Sequence, residues 1–172
     1  MIRSFHPVSI TLVLAILFMP LSPALAGDKK ITIPAPGPTD SCPVCGMFPI
    51  KYPDWVATIV YKDGHAHHFD GAKDFFKYLL DMKKFSGGHK KSDIAAMAVT
   101  DYYATQKIDP KSAFYVIGSD VLGPMGHELI PHPDMYDAKA FMKDHKGKRI
   151  LTFDEITMPL LLGLDKGKFL LK

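Results

Sequence analysis

Two cysteines stand three residues apart in Cys42-Pro43-Val44-Cys45-Gly46-Met47, a methionine follows two positions later, and the chain has no other cysteine. Two thiolates and a thioether in one tight loop are soft ligands of the kind a d¹⁰ ion such as Cu(I) prefers. Other chemistries also use a cysteine pair. A thiol–disulfide oxidoreductase sets its first cysteine at a helix N-terminus, whose dipole lowers the thiol pKa. Here Pro49 and Pro53 follow too closely for a useful helix, because an interior proline costs ~3 kcal/mol. Covalent haem attachment needs a histidine directly after the second cysteine, where this chain has Gly46. Structural zinc needs four ligands, and His65, His67 and His68 are the cluster that could complete a Cys₂His₂ set. A disulfide across two residues closes too small a loop to stabilise much on the chain-entropy model. The oxidoreductase and the zinc-stabilised domain stay open as alternatives, but neither uses the methionines.

Met82, Met97, Met142 and Met158 fall in periodic or apolar segments and read as core filler. Met47 and Met125 differ, since each lies in a glycine-flanked turn where no regular element needs an apolar residue. Together with the cysteine pair they favour a soft-metal site. His127 and His132 follow Met125 and offer imidazoles, as does His68 after the hairpin turn. In an extended strand His65 and His67 share one face and His68 takes the other. No Ser/His/Asp set or phosphate loop stands out, and capping explains Asp154-Glu155, so no enzymatic activity is expected.

The elements that must position these residues read as follows. Trp55–Tyr61 is β-branched and aromatic, hence a strand, and the Asp63-Gly64 turn returns Ala66–Phe69 as its hairpin partner. Asp70 is placed to cap a helix over 72–84 with Phe75, Phe76, Leu79, Leu80 and Met82 on its apolar face. Residues 94–103 and 113–117 read as strands, and Gly123–Gly126 as a turn. Asp134 or Asp137 starts a second helix to about His145, stopped by Gly147. A strand over 150–153 and a last short helix capped by Asp154 complete an α+β domain with two to three helices.

Arg3 and His6 precede an apolar run from Val8 to Met19, broken by Pro20 and followed by Ala24-Leu25-Ala26. That layout predicts a secretory signal peptide over 1–26, with a mature chain from Gly27 outside the cytoplasm. No cysteine follows the cleavage point, so no lipid attachment is expected there. Residues 27–41 carry Pro34, Pro36 and Pro38 and read as an extended lead-in, leaving 42–172 as one metal-binding domain. A formal charge of +3 with scattered lysines gives no argument for nucleic acid.

The set Cys42-x-x-Cys45-Gly46-Met47, Asp63-Gly64 leading to His68-Phe69-Asp70, Tyr115–Ser119, Gly123-Pro124-Met125-Gly126 and Phe153-Asp154-Glu155 resembles the nitrous-oxide-reductase accessory protein family, NosL. The similarity runs from about Ser41 to Thr157. It implies a small two-lobed α+β fold with short antiparallel sheets, related to organomercurial lyase. It also implies a periplasmic metallochaperone that delivers Cu(I) to the assembly machinery or membrane transporter complex serving a recipient copper enzyme such as nitrous oxide reductase. Cys42, Cys45, Met47 and Met125 would then be the copper ligands, with His68 or His127 as a further one. Many members carry a lipidated cysteine at the mature N-terminus; with Gly27 there, membrane association is expected only by docking to a partner. The run His65-Ala66-His67-His68 also departs from the family pattern.

Overall fold

A computed structural model describes residues 1–2 and 32–169. The expected signal peptide lies outside the described residues apart from its first two. The described residues form seven strands, β1 (Ala57–Tyr61), β2 (Ala66–Phe69), β3 (Ile94–Thr100), β4 (Lys107–Ile108), β5 (Phe114–Ile117), β6 (Ile130–His132) and β7 (Arg149–Leu151), and four α-helices. The helices are α1 (Ala72–Leu80), α2 (Met82–Phe85), α3 (Met135–Asp144) and α4 (Met158–Leu164). This is the α+β class expected, in two antiparallel sheets of order β2-β1-β3-β4 and β6-β5-β7. The larger of two buried clusters runs through both, with Tyr115, Ile117 and Leu151 of the second sheet packed with Ile59, Phe69 and Phe75; a smaller one joins Val116 and Ile130 to Ala138 and Phe141 of α3.

β1 is buried along its whole length because β2 and β3 flank it and α1 packs nearby. Gly64 at φ 90° makes the tight return into β2, as Asp63-Gly64 predicts, with Ala57 opposite Phe69 and Val60 opposite Ala66. On α1 the buried side chains include Phe75, Phe76 and Leu79, each stabilising by about 2 kcal/mol when fully buried. Tyr78 is buried with them, whereas Leu80, expected on the apolar face, is 43% exposed.

Four expectations are corrected. The helix expected over 72–84 breaks at Asp81, whose φ −136° and ψ 56° are not helical, so α2 is a separate turn and the α-helices among the described residues number four. Asp70 caps nothing: Gly71 is the N-cap residue and makes no side-chain cap bond. The acceptor for α1 comes from far along the chain, with the Glu128 carboxylate receiving the Lys73 N–H at 2.5 Å. A Cβ on Gly71 would overlap that carboxylate, so glycine is needed for the close approach. Asp154 does not cap the last helix: α4 has Thr157 at its N-cap with no side-chain bond, and Thr152 with Glu155 caps a separate 3₁₀ turn over Phe153–Glu155. On α3 the expectation holds, since the Asp134 carboxylate accepts the Asp137 N–H at 2.9 Å.

Candidate metal centre

The cysteine loop is closed by its own backbone. The Cys42 N–H donates to the Met47 carbonyl at 2.7 Å and the Gly46 N–H to the Cys42 carbonyl at 2.8 Å. Gly46 has φ 79°, a conformation that disfavours side chains with a Cβ. Short 3₁₀ turns over Pro49–Lys51 and Pro53–Trp55 follow, not an α-helix, so neither cysteine opens a helix of its own.

The loop packs where β2 runs into α1, and this junction supplies two buried carboxylates. The Cys45 thiol donates to Asp70 Oδ1 at 3.1 Å, and Cys42 to Asp74 Oδ2 at 3.6 Å. One ligand atom from each of Cys42, Cys45, Asp70 and Asp74 lies within 4.8 Å of the others, a set that includes no histidine. Both cysteines are free thiols. Cys42 is buried and Cys45 half-buried. The second Asp74 oxygen is 3.3 Å from Lys77 Nζ without hydrogen-bond alignment, and Lys77 also pairs with Asp165 at 3.0 Å.

Burial pushes the Cys42 thiol up to about 12, and the Asp74 charge adds to this against opposing backbone N–H groups of Cys45 and Val44. Burial raises Cys45 further, assisted by its hydrogen bonds to Asp70 and Asp74. Both cysteines therefore rest as neutral thiols with a carboxylate beside each proton. A disulfide exchanger needs the reverse, a thiolate stabilised at neutral pH.

The remaining predicted residues take several positions. Met47 is half-buried and its carbonyl closes the loop. The Gly123–Gly126 turn is held by reciprocal bonds between Gly123 and Gly126 of 2.8 and 3.0 Å, and Met125 at its tip is 42% exposed. Buried Lys73 fastens this turn to α1, its Nζ donating to the carbonyls of Met125 at 3.0 Å and His127 at 2.8 Å. The methionine turn and the cysteine loop are thus both tied to the first turns of α1. The His127 ring packs on Phe169 with centroids 4.8 Å apart. His68 is buried on the opposite side of β2 from His67; its Nδ1 is 3.0 Å from Thr58 Oγ1 and its Nε2 3.8 Å from Asp40. His132 is buried against Phe141 and Tyr103.

Sequence reasoning missed Asp70 and Asp74. Their i, i+4 spacing across a strand-to-helix junction was the available signal, because it puts two carboxylates on one side of a helix start. Glu128 and Lys73 gave no local signal.

The NosL family model matches residues 34–161. Among characterised proteins, the copper-binding lipoprotein NosL of Stutzerimonas stutzeri is 31% identical over 130 residues, covering 72% of this chain. The chain spans 65% of that lipoprotein's length. Among solved structures, the crystal structure of the copper chaperone NosL from Shewanella denitrificans superposes with a TM-score of 0.62 at 26% identity, covering 74% of this chain and 97% of that one.

Proposed function

The chain belongs to the NosL family, and from that premise we propose that it is a periplasmic Cu(I)-binding metallochaperone rather than an enzyme. It would hand copper to the assembly machinery or membrane transporter complex of a recipient copper enzyme such as nitrous oxide reductase. The copper-binding and chaperone roles named for its relatives support this reading, and the signal-peptide pattern that the sequence predicts over 1–26 supports the location. Among the described residues no helix is long and apolar enough to cross a membrane.

The observation that carries the reading is the pair of free thiols gathered in one closed loop, each hydrogen-bonded to a buried carboxylate. Cu(I) arriving on a partner's ligand meets the more accessible Cys45 first. As sulfur binds the metal, its proton passes to Asp70 Oδ1; Cys42 then loses its proton to Asp74. Carboxylate oxygens are poor ligands for so soft an ion, so Asp70 and Asp74 serve as proton acceptors while the sulfurs hold the cargo. Met47, on the same loop, and Met125, on the turn that Lys73 ties to α1, would supply thioethers. His68 and His127 are the weaker candidates for a further ligand, since their rings pack elsewhere. Two thiolates and one Cu(I) leave a single negative charge, and the Lys77 ammonium stands beside the corner to offset it, 3.3 Å from Asp74 Oδ1. Release is ligand exchange in the opposite direction, with the protons returning from the carboxylates to sulfur.

The test is an anaerobic Cu(I) titration against a competing chelator. The wild type is expected to take up copper stoichiometrically, with affinity falling in both Cys45→Ala and Met47→Ala. Unchanged affinity in the two variants overturns the reading.

A further inference from the structure

The turn end of the β1–β2 hairpin gathers three histidines that copper handling by the sulfurs leaves unused. His65 and His67 share a face of the hairpin, and the segment after α2 folds His89 against them. The His65 and His67 ring centroids are 4.6 Å apart, His65 and His89 are 5.4 Å apart and within 4° of parallel, and His67 and His89 are 6.0 Å apart.

Two of these imidazoles are anchored through one nitrogen. His67 Nδ1 lies 2.8 Å from the Tyr78 hydroxyl and 3.3 Å from that of Tyr61. His89 Nε2 donates to Asp63 Oδ2 at 3.0 Å. The Tyr61 ring also stacks on His89 with centroids 3.9 Å apart. A hydroxyl or carboxylate on one ring nitrogen fixes the tautomer and aims the other, which is how metal-ligating histidines are held. With Nδ1–H donating to Tyr78, His67 keeps a lone pair on Nε2. Among the described residues nothing hydrogen-bonds to that nitrogen or to either ring nitrogen of His65, and His89 Nδ1 has only a long 3.4 Å contact with the Ser86 carbonyl. These nitrogens do not yet converge as the cysteine and aspartate atoms do. His65 is exposed and neither of its ring nitrogens is bonded among the described residues, so its ring can turn towards His67 and His89, which the tyrosines and Asp63 hold.

We propose that His65, His67 and His89 form a second metal site, which takes a divalent ion of borderline softness and binds Cu(II) most tightly. Imidazoles suit Cu(II) and Zn(II), and among divalent first-row ions Cu(II) forms the strongest complexes. From His65 to Asp70 the strand covers about 15 Å, so this site is separate from the sulfur corner. It does not depend on that corner carrying Cu(I).

The experiment is a Cu(II) titration of the full chain followed by electron paramagnetic resonance. One background carries Cys42→Ser and Cys45→Ser, so that no thiol reduces the ion, with circular dichroism to check the fold. The other is the wild type preloaded with Ag(I), which occupies the thiols without redox chemistry and carries the test if the double variant unfolds. One equivalent of Cu(II) with nitrogen hyperfine structure is expected. Affinity should fall by about tenfold or more in His67→Ala and stay unchanged in His145→Gln, whose ring pairs with Asp120 instead. A signal of hydrated Cu(II) alone, or one indifferent to His67→Ala, overturns the site.

Discussion

The two ends of the β1–β2 hairpin both gather groups that metals bind, yet they are built in opposite ways. At the open end Cys42, Asp70 and Asp74 are buried, Cys45 is half-buried, and every thiol proton has a carboxylate beside it. At the turn end His65 is exposed, the anchors are tyrosine hydroxyls and one surface aspartate, and the charge runs the other way. Burial there pushes His67 down to about 4, helped by the neighbouring His65, His89 and His68, which keeps the ring neutral. Asp63 by contrast raises His89. A sulfur site in a low-dielectric corner must shed protons to accept metal, whereas a neutral imidazole is ready for it. On the two proposed readings, the thiols of the open end suit a thiophilic ion and the imidazoles of the turn end a harder one.

The sharpest challenge to this contrast concerns thiol reactivity. With Cys42 pushed up to about 12 from an ordinary 9.0, its thiolate fraction near neutral pH is about a thousandfold lower than for a free cysteine. Alkylation of the metal-free protein should be slower by about that factor and keep accelerating beyond about pH 9. Asp70→Asn removes a hydrogen-bonded charge that raises Cys45 and should speed alkylation there by about tenfold. Wild-type thiols that alkylate as fast as a free cysteine would mean that burial and the carboxylates do not hold them neutral, and the two ends would no longer differ as described.

Glu128 gives the next largest effect, because it joins the methionine turn to the helix that carries Asp74. It is fully buried, and burial raises it to about 8 despite the N–H groups of Leu129 and Lys73 and the Lys73 charge. A carboxyl whose folded pKa lies above its unfolded value stabilises fully below the unfolded pKa, about 4.5, and that contribution is lost as pH rises towards 8. Glu128→Gln keeps an acceptor for the Lys73 and Leu129 N–H groups and should remove this slope, leaving the variant more stable than wild type on the alkaline side by at most about 5 kcal/mol. Denaturant unfolding across that range checks it; parallel pH profiles in the two proteins would mean that Glu128 stays ionised throughout.

What could be read from the sequence followed from how local each interaction is. Asp63-Gly64 announces its hairpin, Pro49 and Pro53 forbid a helix at Cys45, and alternation along β2 puts His65 and His67 together, all within a few residues. The thiols' carboxylate partners come from 25 and 32 residues away, and the cap of α1 from 55. Asp70 has the residue type of a cap, but the helix starts one residue too late for it, with Gly71 at the N-cap position, and its carboxylate takes the Cys45 thiol instead. His89 reaches His67 through the turn at Gly87-Gly88, whose φ values of 64° and 124° a hydrophobic pattern does not encode. Pro131 hid β6, since proline is tolerated in a sheet only where its missing N–H faces no neighbour, and β6 is an edge strand.

His132 shows that a buried imidazole need not be a ligand at all. It is fully buried in β6, packed against Phe141 at 4.8 Å and Tyr103 at 5.5 Å, and neither ring nitrogen has a hydrogen-bond partner among the described residues. Burial pushes it down to about 4, outweighing Asp101 and Asp134. His67 is depressed as far, but one of its nitrogens is anchored and the other is free to bind; His132 has neither feature. Leaving a polar group buried and unpaired costs about 1–3 kcal/mol, so His132→Phe, similar in shape and apolar, should raise stability by about 1–2 kcal/mol near neutral pH. A histidine whose folded pKa is depressed contributes stability above its unfolded value of about 6.5 that is lost as pH falls towards 4. The variant's advantage should therefore widen on the acid side, which paired thermal melts at about pH 7 and about pH 5 would resolve. A variant less stable than wild type at both would mean that the ring is polar for a reason, and that the second sheet conceals a partner for it.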